Sequence, residues 1–259
     1  MKLGSQNPEA TIRKIYRKLS RAWGPQHWWP AATPFEVIVG AILTQNTSWS
    51  NVERALTSLR QANALAVEDV RSLPLAELQQ LIRSSGYYRQ KAERIRNFVA
   101  YLDQCHGGSL EQMFAAPTSQ LRAELLSLKG IGHETADAIL LYAARHEAFV
   151  VDAYARRILA RHGVISDSAK YEEIRNLMET AVRAEKAVPG VAGSKRLPEG
   201  FVLHEPSAMS RSERSGLSQV FNEMHALLVQ VGKHYCWKQK PYCASCPLQP
   251  LLPGTPKRS

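Results

Sequence analysis

The sequence contains no run of eighteen apolar residues, which excludes a membrane-crossing helix of ordinary length. Its first residues, MKLGSQNPEATIRK, lack the apolar core of a secretory signal, so the expected setting is intracellular, in the cytoplasm or nucleoid. Cysteine is scarce, with four in 259 residues, and that setting argues against a disulfide framework. Few segments alternate with period two, which argues against a sheet-based fold. Acidic residues are also in short supply: 23 Asp and Glu face 33 Lys and Arg, leaving a net charge of +10. Such an excess suits a polyanion, because each neutralised phosphate releases a condensed counterion. Charge alone does not separate a nucleic-acid binder from a merely solvated basic surface.

Helical periodicity is abundant. Ile12, Ile15, Tyr16, Leu19 and Trp23 follow the i, i+3, i+4, i+7 template, with Pro8 suited to a first helical turn. Val52, Ala55, Leu56 and Leu59 repeat it, as do Leu75, Leu78, Leu81 and Ile82. Further helices are expected near 34–46, 88–104, 117–127, 133–145, 153–161, 169–184 and 217–232. The fold class is therefore all-α, with 44% hydrophobic residues to fill a core. Residues 186–216 are rich in Gly, Pro, Ser and charge and read as a mobile basic loop, either merely solvated or in contact with a ligand.

The most informative local pattern is LSLKGIGHETADAILLYA, residues 126–143. Two helical segments flank Lys129, Gly130, Ile131 and Gly132. The glycines permit a tight turn and close backbone approach, and Ile131 can plug the space between the helices. The N–H groups opening the second helix can then hold a phosphate without reading sequence. The plainer alternative is an αα-turn of structural purpose only. Downstream, Phe149-Val150-Val151 ends in Asp152 at an expected helix start. A helix N-cap is the plain reading of that aspartate.

A hairpin holding Gly130, Ile131, Gly132, Thr135 and Ala136, followed by Asp152, resembles the endonuclease III superfamily of helix-hairpin-helix (HhH-GPD) base-excision DNA glycosylases. The resemblance covers roughly 30–185 and 217–247. It implies a six-helix domain with the hairpin over 34–147, and a second helical domain from 1–33 and 148–247. An active cleft is expected between them, with residues 248–259 as a tail. Asp152 becomes the expected catalytic carboxylate, stabilising the positive charge that builds on the sugar and orienting water. Bifunctional members carry a lysine two residues after the second hairpin glycine, which forms a Schiff base with the sugar. This chain has Glu134 there, which implies a monofunctional enzyme. The implied partner is double-stranded DNA carrying a damaged base, bound by a monomer.

Chemistry on a paired base requires flipping it out. Thr44-Gln45-Asn46-Thr47 resembles the loop whose Gln fills the vacated stack, and Ser85-Gly86-Tyr87 resembles the wedge loop, with Tyr87 at the wedge. A helix C-cap and a surface aromatic are the plainer readings of Gln45 and Tyr87. His27-Trp28-Trp29-Pro30, Trp49, TPFEVIVGAILTQNT and SGYYRQKA are similar to a narrower group, bacterial 3-methyladenine DNA glycosylase III. Aromatics at these positions imply stacking on a flipped alkylated purine, whose cationic ring suits an indole face. Core packing of Trp28 and Trp29 is the alternative. Lys233 stands where that group has a pocket-lining lysine.

Cys236, Cys243 and Cys246 crowd into eleven residues, a spacing that reads as metal or cluster ligation. The resemblance implies a [4Fe–4S] cluster, whose fourth thiolate would stand at position 252. Leu252 is there instead. Three outcomes remain open: a cluster completed by another ligand, a zinc site completed by His234, or three reduced thiols. None is required for glycosidic cleavage. Rival activities are also open: a glycosylase/lyase for oxidised pyrimidines, an enzyme for deaminated or mismatched bases, or a non-catalytic binder of distorted DNA.

Overall fold

The computed structural model describes residues 7–186, 201 and 205–254. Among them the regular structure is helical, with no strand. The α-helices are α1 (Pro8–Trp23), α2 (Pro34–Leu43), α3 (Trp49–Gln61), α4 (Val67–Ser72), α5 (Leu75–Leu81), α6 (Tyr88–His106) and α7 (Leu110–Phe114). They continue with α8 (Thr118–Ser127), α9 (His133–Ala138), α10 (Ala153–Arg161), α11 (Tyr171–Val182), α12 (Ala208–Arg211) and α13 (Gly216–His234). The chain divides into two compact units. One draws on Met1–Pro30, Glu147–Pro206 and Glu213–Ser259, and the other on Ala31–His146 and Ser207–Ser212.

Each unit is built around one helix that is buried on nearly all sides. In the Ala31–His146 unit this is α2, with every residue from Phe35 to Leu43 buried. Thr33 starts it, accepting the Glu36 N–H at 3.1 Å, and Pro34 fits the first turn, where no N–H partner is needed. Helices α3, α6 and α9 pack on α2, as does the π-helical turn Ile139–Ala143 that continues α9. The helix anticipated over 133–145 thus changes pitch at Ile139, and all five residues of the wider turn are buried. The carboxylate of Glu36, almost wholly buried, accepts the Ala32 N–H at 3.0 Å and pairs with Arg60, which offsets its desolvation.

The other unit surrounds α13, buried from Val220 to Gly232 and packed by α1, α10 and α11. Asn7 caps α1 by accepting the Ala10 N–H at 3.2 Å, and Gly24, at φ 68°, ends it. The expected apolar stripe Ile12, Ile15, Tyr16, Leu19 and Trp23 is buried. Each fully buried aliphatic side chain contributes roughly 1.5–3 kcal/mol of transfer free energy. Near the C-terminal end Trp23, Tyr235, Tyr242 and Trp237 form a column of rings, each within 11° of parallel to the next.

Much of the 186–216 segment lies outside the described residues. Its last part corrects the expectation of a loop through Gly216: Ala208–Arg211 is helical, capped by Ser207, with Met209 buried. A capping serine and one apolar residue suffice for this single turn, which is too short to show a period.

Candidate active site

The hairpin joins α8 to α9 through Lys129, Gly130, Ile131 and Gly132. Gly130 has φ +89°, a left-handed conformation, and a Cβ there would collide with the Arg94 side chain. Ile131 is 5% exposed and plugs the turn, whereas Lys129 and Gly132 face solvent. Gly132 is extended, and a Cβ on it would meet nothing within 4 Å. Neither strain nor internal packing requires glycine there, so the open space above it remains for an approaching ligand. Glu134 lies exposed in the first turn of α9.

Gln45, one residue beyond the C-cap of α2, is tied to the hairpin. Its Nε2 donates to the Gly130 carbonyl at 3.0 Å and to Thr135 Oγ1 at 2.9 Å, while its Oε1 accepts from Arg94. Its side chain therefore does not cap its own helix. Tyr87 is 65% exposed and holds φ 48° as the residue just before α6. Behind it Lys91, 1% exposed, donates from Nζ to the carbonyls of Leu43 (2.8 Å) and Ser85 (2.7 Å). Burial, with the Arg94 charge adding, pushes this ammonium down to about 8. Trp49, half-buried, opens α3 in the same unit.

In the other unit Asp152 stands at the start of α10. Its Oδ1 accepts the Ala155 N–H at 2.7 Å, so the N-cap reading holds. One oxygen suffices for that bond. Oδ2 lies 3.6 Å from His225 Nε2 on α13, and the Asp152 side chain keeps 13% of its surface exposed. Helices α10 and α13 approach closely because position 232 is glycine, where a Cβ would strike the Tyr154 ring. Burial and the Asp152 charge together push the Tyr154 phenol up. A carboxylate with one oxygen fixed by a backbone N–H and the other beside an imidazole is positioned to stabilise a neighbouring cation.

Trp28 and Trp29 are each 6% exposed and meet edge to face, with centroids 5.6 Å apart. Lys233 Nζ lies 5.7 Å from the Trp28 ring centre, so one indole face already has a cationic neighbour. The chain carrying these tryptophans is fastened to α13. Asn222 Nδ2 donates to the Trp28 carbonyl at 2.7 Å, and the Gln26 N–H donates to Glu223 Oε2 at 2.8 Å. Burial pushes Glu223 up to about 7. The structure thus groups Trp28, Trp29 and Lys233, groups Asp152 with His225, and groups Gln45 with the hairpin. His225, Lys91 and Arg94 were not singled out from the sequence, since their partners lie far along the chain and their residue types carry no local pattern.

Cys236, Cys243, Cys246 and Leu252 line one small cavity together with His162. His234 is not among its walls, and its ring lies against Phe201, 5.4 Å between centroids. Burial pushes the Cys246 thiol up to about 11, unfavourable for a thiolate without a metal. Among the described residues no three His, Cys, Asp or Glu side chains converge as they would around one metal ion. The donor set falls one thiolate short of a [4Fe–4S] cluster, with an aliphatic side chain in that wall. Arginines hold the loop: Arg157 Nε donates to the Cys236 carbonyl at 2.7 Å, and Arg161 donates to the carbonyls of Trp237 (2.7 Å) and Lys238 (2.9 Å).

Residues 39–184 match the model of the HhH-GPD superfamily base excision DNA repair proteins. The chain is 39% identical to a Methanocaldococcus jannaschii protein described as "Putative DNA repair glycosylase MJ1434", over 94% of this chain and 96% of that one. It is 26% identical to endonuclease III of Thermotoga maritima, over 91% and 89% of the two chains. Among solved structures it is similar to the H. pylori 3-methyladenine DNA glycosylase bound to 1,N6-ethenoadenine. The TM-score is 0.67 and the identity 28%, covering 88% of this chain and 98% of that one. With the helical fold and the Gly130–Gly132 hairpin, these matches establish that the chain belongs to the HhH-GPD superfamily of base excision DNA repair proteins and is a DNA glycosylase of that family.

Proposed function

We propose that the chain is a monofunctional glycosylase that hydrolyses the N-glycosidic bond of alkylated purines such as 3-methyladenine in duplex DNA, acting as a monomer. The observation that carries this reading is the exposed carboxylate of Glu134 at the position of the lyase lysine. A carboxylate forms no imine, so water is left as the nucleophile. The C1′–N bond breaks, its electron pair leaves with the base, and water adds to C1′ while releasing a proton. Asp152 stabilises the cationic sugar and accepts or orients that proton. A base alkylated on a ring nitrogen carries positive charge and departs neutral, so no strong general acid is needed.

The residues that stack on the damaged base are Trp28 and Trp29, with Lys233 beside Trp28, and, in the other unit, Trp49. Residues 129–132 hold a backbone phosphate, Gln45 fills the vacated stack and Tyr87 wedges the duplex open. The substrate class is supported by the likeness to the H. pylori 3-methyladenine DNA glycosylase. The chemistry runs without a metal. The test is an incubation with duplexes carrying methylated, deaminated or oxidised bases, with and without borohydride. Release of methylated purines with no trapped covalent adduct is expected, and Glu134→Lys should gain trapping. Strong trapping by the unmodified protein would refute the hydrolytic reading, and preferential release of oxidised pyrimidines would refute the substrate.

A further inference from the structure

One stripe of α6 ties together the segments assigned above to opening the duplex. Lys91 and Arg94 are three residues apart and so lie on neighbouring positions of one face of α6, in its first two turns after Tyr87. Lys91 donates to Leu43, the last residue of α2, and to Ser85, two residues before Tyr87. One buried ammonium therefore holds the stems of both the Gln45 loop and the Tyr87 loop. Less than one turn further, Arg94 bonds the Gln45 amide oxygen and packs over Gly130, while the Gln45 amide nitrogen bonds the Gly130 carbonyl.

An ammonium in this position is costly to bury, and a methionine of similar length would fill the space without that cost. The low value of about 8 for Lys91 reflects the same desolvation. What methionine would not supply is the pair of hydrogen bonds that fixes one loop stem against the other. Arg94 does the same between the Gln45 side chain and the hairpin, which a shorter or apolar side chain would leave unlinked.

We infer that Lys91 and Arg94 are positioning residues for base extrusion, making wedge, filling residue and phosphate-holding hairpin a single preformed body. The inference rests on the assignment of Gln45 and Tyr87 to filling and wedging. Unstacking and unpairing a base costs a few kcal/mol. Loops already held in register lose no further conformational freedom when they engage DNA, so more of the binding free energy remains for that step. A base that is already unpaired has much less need of the device.

The test compares Lys91→Met and Arg94→Leu with Gln45→Ala and Tyr87→Ala on two oligonucleotides. One carries 7-methylguanine opposite cytosine, the other carries it in a single-nucleotide bulge, and each has 2-aminopurine as the neighbouring base. The fluorescence rise on binding reports unstacking and needs no turnover, and single-turnover base release reports chemistry. On the paired substrate both α6 variants should lose most of the fluorescence rise and roughly tenfold or more in rate, with a much smaller loss on the bulge. Adding Gln45→Ala to Lys91→Met should cost little more, because coupled residues are non-additive. Arg94 is only half-buried, so Arg94→Leu keeps the test intact if Lys91→Met does not fold. Equal losses on both substrates, or none on the paired one, would overturn the inference. If Gln45→Ala and Tyr87→Ala also show no preference for the bulge, the loop assignment falls with it. If they show that preference and the α6 variants do not, the inference alone falls.

Discussion

Replacing Asp152 by asparagine and, separately, by alanine distinguishes its capping bond from its charge. The capping bond is one short contact, Oδ1 to the Ala155 N–H at 2.7 Å. Asparagine retains an oxygen for it, and asparagine and aspartate are near-equal N-caps. Alanine removes it, at a cost of about 1 kcal/mol, or roughly 2–4 °C in melting temperature for a chain of this size. Charge is lost in both variants. If Oδ2 stabilises the cationic sugar, its removal should slow single-turnover release by about 10²–10³, the loss found for other preorganised electrostatic groups. The expected pattern is two equally slow enzymes, of which only the alanine variant melts clearly early. Release from methylated duplex at fixed excess enzyme, paired with thermal melts, reads both quantities. An asparagine variant within about threefold of the parent rate would refute the electrostatic role, given the size of effect expected.

Three further outcomes concern Glu223, Gly232 and Leu252. Glu223, pushed up to about 7, keeps its proton in the folded state at pH values where the unfolded chain has lost it. Stability should therefore fall as pH rises from the ordinary carboxylate range to about 7. Glu223→Gln should remove that slope and raise the melting temperature more at pH 8 than at pH 5, in buffers chosen for those values; an unchanged slope would show that another group causes it. Gly232→Ala should destabilise the fold by roughly 1–3 kcal/mol, since the added methyl strikes the Tyr154 ring; an unchanged denaturant midpoint would show that α10 and α13 separate freely. Leu252→Cys should raise iron content and absorbance near 400 nm, approximately where iron–sulfur chromophores absorb; equal iron in both proteins would mean that position 252 is not the missing ligand.

The long helices were legible because each carries a buried stripe and most carry a cap. Helix α1 runs over Pro8–Trp23 and α10 over Ala153–Arg161, as expected from those signals. Helices α4 and α7 were not anticipated: each is about one turn and buries at most two residues, too few to display a period. The π-helical turn after Ala138 was equally hidden, because an added backbone residue leaves the apolar composition unchanged. At the site, the hairpin and Asp152 stand out because their geometry is local: Gly130 needs its positive φ and Asp152 caps the helix it begins. Their supports do not. His225 reaches Asp152 from 73 residues away in sequence, and Lys91 and Arg94 look like any helical cations until the carbonyls and the amide they bind are seen.

The cysteine loop has a scaffold that does not depend on what its thiols bind. Arg157 and Arg161 grip three successive carbonyls, and the column from Trp23 to Trp237 anchors the loop to the first helix and to the end of the last. None of these contacts involves Leu252, so either leucine or cysteine at that position leaves the frame and the exposed Lys238 and Lys240 in place. Such a frame fixes the outline of the loop from within the protein, whatever the occupancy of its thiols.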